Sequence, residues 1–259
     1  MRPRSRLLLG VPALLLALAG CAQRGALQER FDPQRSSPAQ RARIDGLRAA
    51  LGRVVASQPG AEAQLLLAMD ELYRPLGPGE RALLDAIRSE PGGDPELALP
   101  VGVAWVRVEG QVARGAGGER AIPLQLLPEP VWRAWSELDR ALRRDLGRGL
   151  LIGSGYRSPA YQLYLVVEYL PRFEYSLAQT LAHVSLPGAS DHNRVERQGL
   201  DFVSESGVDL EYSRPAAFAA LPEYRWLREN AARFGFEPEP ARDGEPVASP
   251  WHWRYAGGP

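Results

Sequence analysis

The apolar residues in the first hundred positions recur every three or four residues, which is the spacing of one helix face. They predict a helix over Arg41 to Val55, a second over Ala61 to Tyr73 and a third over Glu80 to Arg88. Pro59–Gly60 and Pro91–Gly93 end the first and third segments, because proline and glycine interrupt helices. No motif in this part indicates chemistry, so we interpret it as a packing or spacer region.

The hydrophobic pattern changes after position 100. Alternating apolar residues from Val101 to Val112 predict a strand, and Gly115 to Gly118 predict a turn. Pro130 to Leu146 carries tryptophan and leucine along one face and charged residues along the other, which predicts an amphipathic helix. Leu150 to Ile152 then predicts a short buried strand. Both strands and helices are therefore expected in the second part of the chain.

The N-terminus has the features of a bacterial lipoprotein signal. Arg2, Arg4 and Arg6 precede an apolar run, Leu7 to Ala19, that is too short for a membrane span. Small residues lead into Cys21, the single cysteine of the chain. Lipidation of Cys21 would anchor the mature protein in the cell envelope on the periplasmic side, where we expect the outer membrane. The alternative is an ordinary secretory signal with an incidental cysteine.

Composition and charge exclude some classes of protein. Apolar residues make up 45% of the chain, which is enough for a sizeable core. The 31 basic residues balance 31 acidic ones, and this neutral total argues against a nucleic-acid-binding protein, which would normally carry a basic face. With one cysteine, no disulfide can form within the chain, and lipidation of Cys21 would leave no thiol for catalysis.

Two of the three histidines lie in contexts typical of metal binding. His192 is followed nine positions later by Asp201, and His252 lies within Pro250–Tyr255. Two imidazoles and one carboxylate make a three-ligand zinc site with an open fourth position. Spacing alone is weak support, since a histidine and an aspartate nine positions apart occur by chance in many proteins. We interpret the third histidine, His183, as a structural residue.

The surroundings of these residues carry a family resemblance. The ordered blocks are Gly153–Ser158 with Gln162, Ser190–Phe202, Trp226–Leu227 with Asn230–Ala231, Phe234–Phe236 and Pro250–Tyr255. Together they resemble the zinc D-alanyl-D-alanine carboxypeptidases and dipeptidases that include the vancomycin-resistance type, over about Ile122 to Tyr255. The resemblance implies an α+β fold: a small, mostly antiparallel sheet with flanking helices carries a zinc site and follows an N-terminal helical region.

The resemblance also divides the chain and assigns its site residues. We expect a signal peptide over 1–20, a tether over 21–40, a helical accessory region over 41–120 and a D,D-carboxypeptidase-like zinc domain over 121–259. His192, Asp201 and His252 become the ligands of Zn²⁺. Arg157 becomes the cation that binds and polarises the scissile carbonyl. Substrate-positioning roles fall to Ser190, Gln162, Tyr156 and Trp251.

The loop between the first two ligands departs from the family pattern. The interval from His192 to Asp201 is nine positions, longer than the family's. Arg197 stands where the family has glycine, and Gly199 stands where it has a small alanine. A longer loop between two strands can leave both ligands in place, so we expect the metal site to be retained.

Ser249 stands in the place of the family's general base, a glutamate three positions before the last ligand. That glutamate takes the proton from the attacking water and passes it to the leaving amine, and losing such a base costs about 100- to 10,000-fold in rate. A serine hydroxyl cannot replace it near neutral pH without help. Glu196, Glu239 and Glu245 are the carboxylates in loops that could substitute.

Two hypotheses about function follow from the resemblance. The first is a zinc-dependent D-alanyl-D-alanine carboxypeptidase-like peptidase that acts on peptidoglycan stem peptides, favoured by the intact ligands and Arg157. The second is a catalytically impaired relative that binds peptidoglycan or a partner enzyme at the envelope, favoured by Ser249. A third option is hydrolysis of a different amide whose substrate brings its own base.

Overall fold

The computed structural model describes residues 37–208, 214–238 and 249–257. The predictions for the signal peptide, Cys21, Glu239 and Glu245 lie outside these ranges. Among the helices described, none combines the length and the apolar character that crossing a bilayer requires.

The helical region begins with a long helix followed by three shorter ones. These are α1 (Pro38–Ala56), α2 (Ala61–Leu65), α3 (Met69–Tyr73) and α4 (Pro78–Arg88). The continuous helix predicted over Ala61 to Tyr73 is wrong, because the chain bends after Leu65 and places Leu67 in the core with 1% of its surface exposed. A new helix then starts where the Glu71 carboxylate accepts a hydrogen bond from the Ala68 N–H at 3.1 Å.

The rest of the chain contains both strands and helices. They are β1 (Trp105–Val108), β2 (Val112–Gly115), β3 (Gly118–Ala121), β4 (Gln125–Pro128), α5 (Glu129–Leu146), β5 (Leu150–Ser154), α6 (Pro159–Tyr169), α7 (Leu177–Leu181), β6 (Gly199–Ser204), α8 (Pro215–Ala219), α9 (Pro222–Asn230), β7 (Phe236–Pro238) and β8 (His252–Tyr255). Two antiparallel ladders, β1–β4 and β2–β3, accompany a four-stranded antiparallel sheet in the order β5-β6-β8-β7. The α+β prediction is confirmed.

Two apolar cores lie beneath these elements. The first joins α1 and α4 to α6 through Leu47, Leu84 and Leu163, which are fully buried. The second packs α5 and α9 on one face of the four-stranded sheet, around Phe202 and Trp253. The N-terminal helices are therefore packed against the helix that directly follows Arg157.

The pairing of strands brings distant parts of the chain together at two of the predicted metal ligands. Asp201 on β6 is paired with His252 on β8, and its other neighbour is Ser154 on β5. A register irregularity between Ile152 and Ser154 ends the regular ladder just before the segment that carries Arg157. His192 lies outside the sheet, on a 3-10 helix spanning Asp191–Asn193.

Candidate metal site

His192, Asp201 and His252 form one cluster in the fold. Their candidate ligand atoms all lie within 4.8 Å of one another. Nε2 of His192 is 3.2 Å from Oδ2 of Asp201, and Nδ1 of His252 is 2.8 Å from Oδ1 of the same carboxylate. His192 and Asp201 are buried, while 16% of the His252 side chain is exposed. The three predicted ligands thus meet around one carboxylate.

The tautomer of His192 is fixed by a backbone carbonyl. Its Nδ1 lies 2.8 Å from the oxygen of Gly155, and a carbonyl oxygen can only accept a hydrogen bond. Burial and the nearby Arg157 charge lower the pKa of His192 to about 4, so the imidazole is neutral near pH 7. Nδ1 is then the protonated nitrogen, and Nε2 presents a lone pair to the centre of the cluster.

This arrangement fits a cation. Burial alone would raise the pKa of Asp201, but the hydrogen bond from Nδ1 of His252 to its Oδ1 holds it below its usual range, so the carboxylate is ionised. A lone pair on Nε2 of His192 therefore faces a carboxylate oxygen at 3.2 Å, and two acceptors at that distance are stabilised by a cation between them. Two ligands of a tetrahedral zinc ion lie about 3.3 Å apart. The donor set and this spacing suit Zn²⁺.

Arg157 lies at the edge of the cluster. Its Nη2 is 4.0 Å from Oδ2 of Asp201, and 17% of its side chain is exposed. The Nε atom is buried and has no hydrogen-bond acceptor among the residues that the structure describes. The guanidinium is thus held close to the candidate metal position, with part of the side chain open to an incoming oxygen.

Backbone hydrogen bonds hold the Arg157 segment in place from three sides. The Tyr156 N–H donates to the Leu126 carbonyl, the Arg157 N–H to the His192 carbonyl and the Ser158 N–H to the Leu65 carbonyl, at 2.8 to 2.9 Å. Ser158 also caps α6 through its hydroxyl, which accepts from the Tyr161 N–H. The helical region, the β1–β4 ladder and the 3-10 helix of His192 each contribute one of these acceptors.

The residues expected to position substrate occupy different surroundings. Ser190 caps the 3-10 helix of His192, and its hydroxyl accepts the His192 N–H at 3.3 Å. Gln162 donates to the Ser185 carbonyl at 2.7 Å, and within the described part of the chain its buried Oε1 has no donor. Tyr156 is fully buried against Trp105, with ring centroids 4.3 Å apart, and Trp251 packs edge-on to Phe218 in the second core. Direct contact with substrate remains a prediction for all four.

Ser249 lies one turn before His252, and its carbonyl accepts the His252 N–H at 2.9 Å. It is partly buried. Glu196, one of the alternative carboxylates, is exposed on the loop between the two first ligands. Position 249 therefore carries a hydroxyl group, and its place in the chemistry stays a prediction.

Sequence reasoning missed two groups that shape the site. The Gly155 carbonyl orients His192, and Asn193 ties the ligand loop to the Arg157 segment by donating to the Arg157 carbonyl at 2.5 Å. A backbone acceptor leaves no mark in the choice of side chain, so Gly155 could not be identified from sequence. Asn193 directly follows a ligand, and its polar side chain was the available signal.

Comparisons with known proteins identify the family of this chain. A family model described as VanY, D-alanyl-D-alanine carboxypeptidase, matches residues 125–258, slightly more than half of the 259 residues. A curated D-alanyl-D-alanine carboxypeptidase of Enterococcus faecalis (strain ATCC 700802 / V583) is 29% identical over 119 residues. The match covers 41% of this chain and 40% of that relative, so the chain spans less than half of the relative's length.

Solved structures of low sequence identity are also similar. A mutant of the vancomycin resistance D,D-pentapeptidase VanY, in complex with Zn(II), is 24% identical with a TM-score of 0.40, covering 56% of this chain and 78% of that one. The LdcB LD-carboxypeptidase is 22% identical with a TM-score of 0.43, covering 58% and 70%. Because the family model matches more than half of the sequence, the chain belongs to the VanY D-alanyl-D-alanine carboxypeptidase family.

Proposed function

We propose that this protein is a zinc-dependent peptidase that acts on peptidoglycan stem peptides ending in D-Ala-D-Ala. The observation that carries the proposal is the cluster of His192, Asp201 and His252, in which Nε2 of His192 lies 3.2 Å from one oxygen of the Asp201 carboxylate and Nδ1 of His252 lies 2.8 Å from the other. When bound by these residues, zinc supplies Lewis-acid activation of water and of the scissile carbonyl. Family membership supports the substrate class.

Arg157 is proposed to bind the carbonyl oxygen of the scissile peptide. Its position 4.0 Å from Asp201 places a fixed cation beside the metal ligands. A preorganised donor of this kind stabilises negative charge that develops on the oxygen, and its removal typically costs about 100- to 1,000-fold in turnover. Hydrogen bonds from three sides already hold the backbone of this residue, so little reorganisation is needed when substrate binds.

The second candidate function is a binding protein that holds metal and peptide without rapid turnover. Ser249 favours it, because a serine hydroxyl cannot accept a proton near neutral pH as the family's glutamate does. In this case the cluster would stabilise the fold and recognise peptidoglycan or a partner enzyme at the envelope.

We also propose that the protein is lipid-anchored through Cys21 on the periplasmic side of the envelope, in the outer membrane. The basic residues, the short apolar run and the single cysteine support this. A Cys21→Ser variant should leave the membrane fraction in a cell fractionation. Retention of that variant in the membranes would contradict the anchor.

The test of the first proposal measures bound zinc and released D-alanine on the same purified sample, with a pentapeptide ending in D-Ala-D-Ala. We expect one zinc per chain together with release, and loss of both in His252→Ala. The matched control is His183→Ala, because His183 is exposed and stacks on Phe173 instead of joining the cluster. Zinc without release would support the binding protein, and absence of zinc would contradict both functions.

A Ser249→Glu variant separates the two candidates further. Restoring the family's carboxylate should raise D-alanine release by up to about 100- to 10,000-fold if only the base is missing. If release stays undetectable while zinc remains bound, the peptidase proposal fails and the binding function stands.

A further inference from the structure

We infer that Asp191 is a positioning residue for His252: its carboxylate accepts the outer imidazole proton of that ligand and favours the tautomer that binds metal. The inference rests on the proposed metal site. It assigns a role to a residue beside the ligand His192, and it explains why this chain has glycine at position 199.

The first observation is the orientation of His252. Its Nδ1 faces Asp201 at 2.8 Å, which makes Nδ1 the nitrogen that a metal in the cluster would contact. Its Nε2 points away from the cluster and lies 3.7 Å from Oδ2 of Asp191. Asp191 and Asp201 therefore flank the two nitrogens of one imidazole.

Metal binding would determine which nitrogen of that imidazole carries the proton. A metal on Nδ1 requires the proton to be on Nε2, and that N–H then points at the Asp191 carboxylate. A carboxylate in this position fixes the orientation of the ring and increases its basicity as a ligand. The 3.7 Å separation is slightly long for a direct hydrogen bond, and a small ring rotation or one bridging water would complete it.

The second observation is the space at Gly199. A methyl group built there would lie 2.9 Å from Cε1 of His252, 3.0 Å from Cβ of Asp191 and 3.1 Å from its carbonyl carbon. Contacts this short with backbone and ring atoms force a displacement. Glycine at this position therefore permits the close approach of Asp191 to His252, in a loop that is longer than the family's.

Arg254 provides the means to test whether Asp191 acts through the histidine or through charge alone. Its guanidinium lies between two carboxylates, with Nη1 3.8 Å from Asp191 and Nη2 3.6 Å from Glu237. Glu237 shares this arginine but belongs to the edge strand β7 and is more exposed. Asp191→Asn and Glu237→Gln each remove one negative charge, and the two charges lie on opposite sides of the Arg254 guanidinium.

The experiment compares zinc affinity, by competition with a chelator, in the purified wild-type protein and these two variants. We expect Asp191→Asn to bind zinc about 10- to 100-fold more weakly, as loss of a carboxylate behind a histidine ligand typically does. Glu237→Gln should bind within about threefold of wild type, and the unfolding midpoints of the metal-free proteins should agree. Equal affinity in Asp191→Asn and wild type, or equal weakening in both variants, would overturn the inference.

A spectroscopic measurement and a second variant keep the inference testable if Asp191→Asn proves unstable. In zinc-loaded protein carrying ¹⁵N-labelled histidine, the Nε2 proton of His252 should exchange slowly with water, and Gly199→Ala should make that exchange fast. Retention of slow exchange in Gly199→Ala would overturn the inference. If wild-type protein binds no zinc, the metal site itself fails, which is distinguishable from failure of the Asp191 role alone.

Discussion

The N-terminal helices and the part of the chain that the family model matches bury different kinds of side chain. Helices α1 to α4 contribute aliphatic residues such as Leu47, Leu51 and Leu84 to the first core. Among the residues that the structure describes, the buried polar and charged side chains all lie from Gln125 onwards, where the family match also begins. Burying such groups costs free energy unless they are paired, so their concentration in one region marks the part of the molecule that carries chemistry.

The two regions nevertheless contact each other next to Arg157. The Ser158 N–H donates to the Leu65 carbonyl beside Arg157, and α6 packs on α1 and α4. The helical region, which lies before the family match, thus supports the segment that carries the candidate carbonyl-binding cation. We expect the helices to determine stability and the sheet to determine metal binding.

The largest effect should come from a cavity in the helical core. Leu47 is fully buried, so Leu47→Ala should lower the free energy of unfolding by about 2–5 kcal/mol, measured by denaturant titration. The control is Val101→Ala, because Val101 is 97% exposed and its truncation should cost less than about 0.5 kcal/mol. Zinc affinity of the folded Leu47→Ala protein should match wild type. Weakened zinc binding under folding conditions would show that the regions are not separable.

Much of this helical region was predictable because its signal is local. The spacing of Ile44, Leu47 and Leu51 identified α1 without knowledge of any partner. Its first turn was missed, because it depends on a capping box in which Ser37 and Gln40 bond each other's backbone. The break after Leu65 was missed because burial of Leu67, a tertiary effect, overrides helical periodicity there.

The members of the candidate metal site were predictable from the sequence, and its geometry was less so; the role of these residues as zinc ligands stays a prediction. The sequence context and the family resemblance identified His192, Asp201 and His252, and these residues do meet. The opposition of Asp201 and His252 across two strands depends on long-range register, which a single sequence does not specify. Tyr156 was expected at the pocket, yet it is fully buried against Trp105, because the partner ring comes from a strand far away in sequence.

Replacing a glycine by alanine should change the free energy of unfolding in opposite directions in the two regions. Gly155→Ala would place a methyl group 2.5 Å from the Leu126 carbonyl oxygen, so we expect a loss of about 1–3 kcal/mol of stability and weaker zinc binding. Gly52 lies within α1 with nothing within 4 Å of an added methyl, so Gly52→Ala should gain about 0.5–1 kcal/mol. Thermal unfolding and chelator competition measure both. A stabilising Gly155→Ala would contradict the close packing of the ligand segment.

The smallest effect is an acid sensitivity of the candidate metal site. The pKa of His192 is about 4 in the folded protein and 6.5 in an unfolded chain. Between pH 4 and pH 6.5 the unfolded chain therefore binds a proton that the folded chain excludes. Stability of the metal-free protein should therefore fall as pH falls through this window, with His192 accounting for about 1 kcal/mol between pH 7 and pH 5.5. Denaturant titrations at both pH values measure it. A His192→Asn variant should lose that part of the pH dependence of the free energy of unfolding. The control is a His183→Asn variant, changed at an exposed position within the family match, which should keep it. Equal pH dependence in wild type and His192→Asn would mean that the imidazole is not held neutral by burial.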